Sequence, residues 1–267
     1  MTSTPIITLT TDFGLKEAYV GVMKGVLLAI EPRARLIDLS HDIEPHSVAE
    51  GAFLLRTAYR YFPADAIHVA VVDPGVGTAR KAVAIATSHG VFIGPDNGLF
   101  THVLTDQSAV SGDDAALQGA SAVELSNPRY RLDEVSNTFH GRDVFAPAAA
   151  HLAAGIPLSE FGPPVDRVTL LPHSLPLARG DEVVGVVLHV DRFGNAISNL
   201  RLRDLPPSPS FEIAGLEIES LSTSYQDARI NVLVGGSGFV EIAVQGGSAA
   251  GTLGLSTGDT ILVRRHK

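Results

Sequence analysis

The sequence predicts an α/β protein in two parts: an N-terminal α/β domain with a mainly parallel central sheet at residues 1–170, and a C-terminal all-β, barrel-like domain at residues 182–267. Three observations predict it. Over the first two-thirds, short β-rich runs alternate with segments of helical periodicity, the pattern of a parallel sheet with helices on its faces. Residues 171–181 collect Pro172, Pro176 and Gly180 and read as a linker. Beyond them the apolar pattern changes to period two with frequent turns, as in a small barrel or sandwich. The length of 267 residues accommodates two modest domains at roughly 100–200 residues each.

The elements follow in order. Residues 6–10 read as a buried strand that ends in Thr11-Asp12-Phe13-Gly14. Tyr19, Val22, Met23, Val26 and Ile30 then recur at helical spacing until Pro32 stops the helix. A second strand, residues 35–39, runs into Ser40-His41-Asp42, and a helix follows near residues 47–61. Residues 67–72 are nearly all apolar, which predicts a strand covered on both faces. Strands at 82–87 and 91–93 lead to Gly94-Pro95-Asp96-Asn97-Gly98. Residues 105–122 are rich in Asp, Ser, Gly and Ala and lack a period, most simply a surface loop or a poorly ordered insertion. A helix at about 144–154 closes the first part, and strands at 182–190, 211–218, 230–234, 239–244 and 260–264 make up the second.

Composition narrows the function. With 45% apolar and 18% charged residues, the chain is neither disordered, collagen-like nor a coiled coil. Its 20 basic against 29 acidic residues, a net charge of −9, argue against nucleic acid or an anionic membrane as partner. The same balance suits a cationic ligand. The absence of cysteine excludes disulfides, zinc-thiolate sites and thiol nucleophiles, and it suits a reducing cytoplasm, the expected location. Met1-Thr2-Ser3-Thr4-Pro5 shows no basic, apolar leader, and the apolar stretches fall short of the roughly 18 residues a spanning helix needs.

In open α/β sheets, ligands bind beyond the carboxyl ends of the strands. Here those ends carry Asp12, Asp42, Asp73 and Asp96. Each alone reads equally well as a turn or cap residue. Four together call for a metal ion, an arginine or a cationic substrate. Metal is the weakest of these, because the 10 histidines include no HExxH or HxH pattern. Asp73-Pro74-Gly75-Val76-Gly77 lacks the Gly-Lys-Ser/Thr end of a phosphate-binding loop. No metal or cofactor is expected. Arg80 lies seven residues after Asp73, within reach of a tight turn. Phe139-His140-Gly141-Arg142-Asp143 precedes an Ala-rich helix, with Asp143 open to a capping role. Asp191-Arg192-Phe193-Gly194-Asn195 interrupts a strand, either as a plain hairpin turn or as a polar and aromatic clamp for a nucleoside.

These stretches, with Thr10-Thr11-Asp12-Phe13-Gly14, Ser40-His41-Asp42 and Gly94-Pro95-Asp96-Asn97-Gly98, occur in an order that resembles the S-adenosylmethionine hydroxide adenosyltransferase family, relatives of the fluorinating and chlorinating enzymes. The resemblance runs over nearly the whole chain. It implies a homotrimer, with substrate held where one subunit's first domain meets a neighbour's barrel. It also implies that Asp12 holds the ribose hydroxyls, that Asp191 and Asn195 contact the methionine portion, and that Phe193 and His46 line the nucleoside pocket. Phe13, Asn97 and Ser237 complete the expected substrate contacts. Asp73, Arg80 and His140 map onto the Asp-Arg-His triad of the hydroxide-using branch. Fluorinating relatives carry Tyr in place of Asp73 and Tyr-Ser in place of His140-Gly141. One departure stands out: Gly235-Gly236-Ser237-Gly238 replaces the family's more usual Asn-Ser-Asn/Arg-Gly.

The implied reaction is hydrolysis of S-adenosyl-L-methionine, the substrate, to adenosine and L-methionine by attack at ribose C5′. A neighbouring cation makes a carboxylate a feeble base, which turns attention to His140 as proton acceptor. The alternative is a hydroxide held by the charge of Arg80. Competing readings are a chlorinase-like halide adenosyltransferase, a sensor that binds S-adenosylmethionine or adenosine without turnover, and a metal-dependent hydrolase.

Overall fold

The N-terminal unit strings together β1 (Ile6–Thr11), α1 (Tyr19–Ile30), β2 (Arg35–Ser40), α2 (Val48–Ala58), β3 (Ile67–Val71), β4 (Ala82–Thr87), β5 (Gly90–Pro95), α3 (Thr101–Asp106), β6 (Val110–Ser111), β7 (Ala116–Leu117), β8 (Ser121–Glu124) and α4 (Ala146–Ala153). The computed structural model describes residues 4–111, 116–172 and 175–265, and it divides into units Met1–Leu171 and Pro172–Lys267. Six strands of the first unit form one sheet in the order β2-β1-β3-β5-β4-β8. The first four run parallel, and β4 lies antiparallel between β5 and β8.

Period two decides which side chains face which layer. Ile7, Leu9, Val69, Val71 and Ile93 meet Met23 and Leu27 of α1 and Ala146, Ala149 and Ala150 of α4. Ala70, Val72, Phe92, Val83 and Ile85 meet Leu55 of α2 and Val103 and Leu104 on the other side. The sheet is therefore covered on both faces, as the apolar run at 67–72 predicts. Gly51 lets α2 lie close to that sheet, since a Cβ there would stand 2.8 Å from Leu99 Cδ1 and 3.0 Å from Val72 Cγ2.

Three expectations need correction. The core face of α1 is Val20, Met23 and Leu27, whereas Tyr19 and Val22 are 49% and 39% exposed. The near-uniform apolarity of this helix hides which stripe faces inward. Residues 105–122 carry the end of α3, the β6–β7 pair and the first half of β8 rather than a plain loop, and Ala109 and Ala122 are buried. Their small side chains make a weak periodic signal, and edge pairing supplies the order; residues 112–115 lie outside the described ones. The helix expected at 144–154 begins as a wide turn over Gly141–Phe145 before α4 takes over.

The second unit comprises β9 (Leu177–Arg179), β10 (Glu182–Val190), β11 (Ala196–Arg201), β12 (Pro209–Ile213), β13 (Leu216–Ile218), β14 (Ile230–Val234), β15 (Phe239–Val244), α5 (Ala249–Leu253) and β16 (Thr260–Arg265). Its sheet is antiparallel and barrel-like, in the order β13-β12-β16-β10-β11-β15-β14. β10 pairs with β16 through residues 182–186 and with β11 through residues 187–190, a register shift marking its bend. Val187, Leu200, Phe211, Val232, Ile242 and Val263 fill the interior. Strand β9, inside the stretch read as a linker, adds to the edge of β10. Among the described residues, no helix is long and apolar enough to cross a membrane.

His68 lies fully buried in β3, stacked on Phe92 at 4.9 Å, with Nδ1 2.8 Å from Thr8 Oγ1. Burial lowers its pKa to about 4 from the ordinary 6.5. The unfolded chain therefore binds this proton first as pH falls. The fold keeps its full stability above pH 6.5 and loses on the order of 3 kcal/mol from this group as pH drops to about 4. Urea midpoints should fall more steeply across that window for wild type than for His68→Asn. Parallel slopes would clear His68 of the acid sensitivity.

Candidate active site

The carboxyl ends of β1 and β3 open into a cavity of about 290 Å³ lined by Asp12, Phe13, His46, Asp73, His140 and Gly141 among others. Of the four strand-end acids, Asp12 and Asp73 line it. Asp42 is exposed elsewhere, and the Asp96 carboxylate accepts the Thr169 N–H at 2.7 Å. Burial raises the pKa of Asp96, against the opposing bond from Thr169 and the charge of Lys81.

Arg80 organises the wall behind the cavity. The chain leaves β3 at Asp73 and turns through a Val76 N–H to Asp73 O bond of 3.2 Å and a Thr78 N–H to Gly75 O bond of 3.1 Å. Gly77 takes φ +77 there, against the carbonyl of Asn137. The turn brings the Arg80 guanidinium back onto Asp73: Nε donates to Oδ1 at 3.0 Å and Nη2 donates to Oδ2. The same Nη2 reaches His140 Nδ1 at 2.7 Å, and the guanidinium lies 5.4 Å from the centroid of the Phe145 ring. The spacing of seven residues between Asp73 and Arg80 foretold this fold-back.

A guanidinium has only donors, so Nδ1 of His140 is the acceptor and the neutral ring carries its proton on Nε2. Desolvation holds His140 below its ordinary pKa of 6.5, and the charge of Arg80 adds to the effect over the opposing pull of Asp73. The ring is therefore neutral at pH 7 and offers an N–H donor. In this arrangement the lone pair that a proton acceptor at His140 would use is engaged by Arg80.

Neighbouring groups brace these side chains. Buried Asp143 accepts from Ser136 N at 2.9 Å and Ser136 Oγ at 2.8 Å, and pairs with Arg142 Nε at 2.5 Å, closing the loop that presents His140. Its role is wider than a helix cap. Asn97, expected to touch substrate, donates from Nδ2 to Val72 O at 2.9 Å and accepts the Leu99 N–H on Oδ1 at 3.2 Å, steadying the residue before Asp73. Asp12 Oδ2 accepts the His46 N–H at 2.9 Å. Sequence reasoning missed Tyr19 and Phe139, which line the cavity with Phe13 in an edge-to-face trio at 5.2–5.9 Å. Tyr19 was hidden by its helical spacing.

Comparison with known proteins identifies the family. The family model of the SAM hydroxide adenosyltransferase N-terminal domain matches residues 7–162, and that of its C-terminal domain matches residues 185–262. The chain belongs to the SAM hydroxide adenosyltransferase family. A relative from Salinispora tropica named (R)-S-adenosyl-L-methionine hydrolase is 43% identical over 98% of this chain and 99% of its own. A more distant relative from an Actinoplanes species, named fluorinase, is 28% identical over 75% and 73% of the two chains. The crystal structure of a conserved protein from Thermotoga maritima superposes with a TM-score of 0.84 at 33% identity, covering 97% of this chain and 100% of the other.

The C-terminal unit of this family member carries a hairpin after β10. Asp191 Oδ1 accepts the N–H groups of Phe193 and Asn195, each at 2.9 Å, and Oδ2 accepts Asn195 Nδ2 at 3.1 Å. Gly194 takes φ +83, and Phe193 projects outward, 78% exposed. Asp191, Phe193 and Asn195 border a surface cavity of about 730 Å³ together with Tyr225. The Tyr225 hydroxyl donates to buried Glu241, and that bond and its own desolvation push the tyrosine up to about 12. Neither residue was singled out from sequence, Tyr225 lying in an unpatterned polar loop. Ser237 sits half-buried in the Gly235–Gly238 turn before β15 and does not border this cavity.

Among the described residues, no group of three or more His, Asp or Glu is placed to hold a metal ion. The imidazole geometry is directly measurable. Nitrogen NMR of His140 should report the Nε2–H form and a pKa below 6.5, moving upward in Arg80→Ala. A proton resident on Nδ1 would contradict the arrangement.

Proposed function

We propose that this chain hydrolyses S-adenosyl-L-methionine to adenosine and L-methionine, water attacking ribose C5′ in line with the departing sulfur. The observation that carries the reading is the Asp73–Arg80–His140 cluster on the wall of a cavity that Asp12 also lines. The (R) form, named for the Salinispora relative, is the substrate form to assay first.

The chemistry suits these groups. A sulfonium leaves as a neutral thioether, so no general acid is needed. The nucleophile is the difficult partner. His140 Nε2–H donates to the water oxygen while a free lone pair on Asp73 accepts one of its protons. As the C5′–O bond forms and sulfur takes the C5′–S pair, that proton becomes strongly acidic. A carboxylate paired with arginine then suffices as acceptor and returns the proton to solvent. Holding the water at near-attack distance can supply roughly 7–11 kcal/mol in the best intramolecular analogues. The two carboxylates also draw in the cationic substrate.

In the same reading, Asp12 holds the ribose hydroxyls, and Phe13 and His46 line the nucleoside pocket they already share with Asp73. Asp191 and Asn195 take the methionine portion, Phe193 offers its exposed ring to the nucleoside, and Ser237 contributes through its turn. Asn97 acts by supporting the Asp73 backbone. A halide in place of water is disfavoured by the carboxylate at 73. Gly141 likewise has no hydroxyl, and a Cβ there would stand 3.1 Å from Met23 Sδ. The assembly we propose is a homotrimer with sites at subunit interfaces, in the cytoplasm. It is supported by apolar side chains left exposed on each unit: Leu15, Tyr19, Val22 and Leu28 on the first and Phe193 on the second.

Hydrolysis in ¹⁸O-water under single turnover should place label in the adenosine 5′-hydroxyl; unlabelled adenosine would eliminate direct attack. Asp73→Ala, Arg80→Ala and His140→Ala should each lower kcat by at least about a hundredfold, with little change in adenosine affinity. A loss confined to affinity would make the three binding residues only. Light scattering of the full chain should give three chain masses, and a monomer at assay concentration would remove the trimer.

A further inference from the structure

Ser40-His41-Asp42 belongs to the motifs that marked the family, yet His41 does not line the cavity. It is 4% exposed at the end of β2. Its contacts form a chain from α1 through β2 to the loop after β1. Lys24 Nζ donates to Asp38 Oδ2 at 2.6 Å, and Asp38 Oδ1 lies 3.1 Å from His41 Nε2. That ion-pair contact draws a proton to Nε2, and the tautomer it favours leaves Nδ1 a lone pair. The Thr11 hydroxyl, 2.8 Å from Nδ1, must then donate to it. That leaves Thr11 Oγ1 free to accept the Phe13 N–H at 3.3 Å. Meanwhile the His41 carbonyl accepts the Gly14 N–H at 2.8 Å.

His41 thus grips the chain on both sides of Asp12 and Phe13, once through Thr11 and once through Gly14. The loop turns on a left-handed glycine, and the backbone strain lies beside it at His46. Gly14 sits at φ +66, and His46, whose N–H meets the Asp12 carboxylate, sits at φ +68, a conformation that a non-glycine residue rarely adopts. A strained backbone persists only where its surroundings over-determine it. Beyond the backbone ladder that pairs β1 with β2 up to Thr10 and Ser40, the buried imidazole adds a side-chain link from the end of β2 to Thr11.

We propose that His41 is a positioning residue for the nucleoside-binding loop: its side chain and carbonyl lock residues 11–14 so that Asp12 presents its carboxylate to the ribose. The proposal rests on the reading of Asp12 as the ribose ligand, and its test separates the two. Calorimetry on the full chain would compare adenosine with 2′,3′-dideoxyadenosine, which lacks the hydroxyls that Asp12 is assigned. Wild type should prefer adenosine by about tenfold or more, the worth of hydrogen bonds to a charged group.

Asp12→Ala should bring that preference close to one. His41→Leu removes the Nδ1 acceptor at similar volume and should do the same, adding nothing further in the double variant with Asp12→Ala. His41→Asn, whose amide oxygen can stand where Nδ1 does, should restore most of the preference. Thr11→Val cuts the same bond and serves if His41→Leu does not fold. A general loss of structure would weaken both nucleosides alike and leave the ratio intact. If folded His41→Leu or Thr11→Val keeps the wild-type ratio while Asp12→Ala loses it, His41 has no positioning role. If Asp12→Ala also keeps the ratio, Asp12 is not the ribose ligand, and the proposal falls with that reading.

Discussion

A half-buried guanidinium must be matched by acceptors on every side it presents, because an unpaired charge away from water costs several kcal/mol. Arg80 commits three of its five N–H donors, two to Asp73 and one to His140, while its flat face lies against Phe145. The consequences reach well past stability. The fork geometry fixes the plane of the Asp73 carboxylate, and the third bond fixes the tautomer of the imidazole. Lysine in this place would supply the charge without either constraint.

Rigid elements carry this cluster. Asp73 follows a strand buried along its whole length, and Asn97 ties the preceding carbonyl to the neighbouring turn. His140 precedes the wide helical turn at Gly141–Phe145, a geometry common at functional sites. There the buried Asp143 closes the loop through Ser136. Reaction at a saturated carbon gives the protein little to do beyond alignment, so preorganisation of this kind is where catalytic power has to come from.

The hairpin of the second unit follows similar logic with cheaper parts. Asp191 spends three acceptor bonds on its own turn, which stiffens the loop and leaves Phe193 projecting. The turn bonds of Asp191 are compatible with a clamp on the same carboxylate, so the plain-turn reading and the clamp reading of this motif do not exclude each other.

What the sequence determined by itself is whatever depends on local pattern. The alternation of strands and helices, the change to period two after the Pro-rich stretch, the strands at 182–190, 230–234 and 239–244, and the Asp73 to Arg80 fold-back were all legible, because hydrophobic period and turn residues are written along the chain. The family resemblance singled out Asp12, His46 and His140, which the fold places around one cavity. Tertiary structure decided the rest. Only packing shows that α1 turns Val20 rather than Val22 inward, since both are valines on an apolar helix. Only edge pairing reveals β8 within an Ala- and Ser-rich stretch. Only the placement of Arg80 Nη2 against Nδ1 makes His140 a donor, because a proton's position on a ring follows from neighbours that lie 60 residues away in the chain.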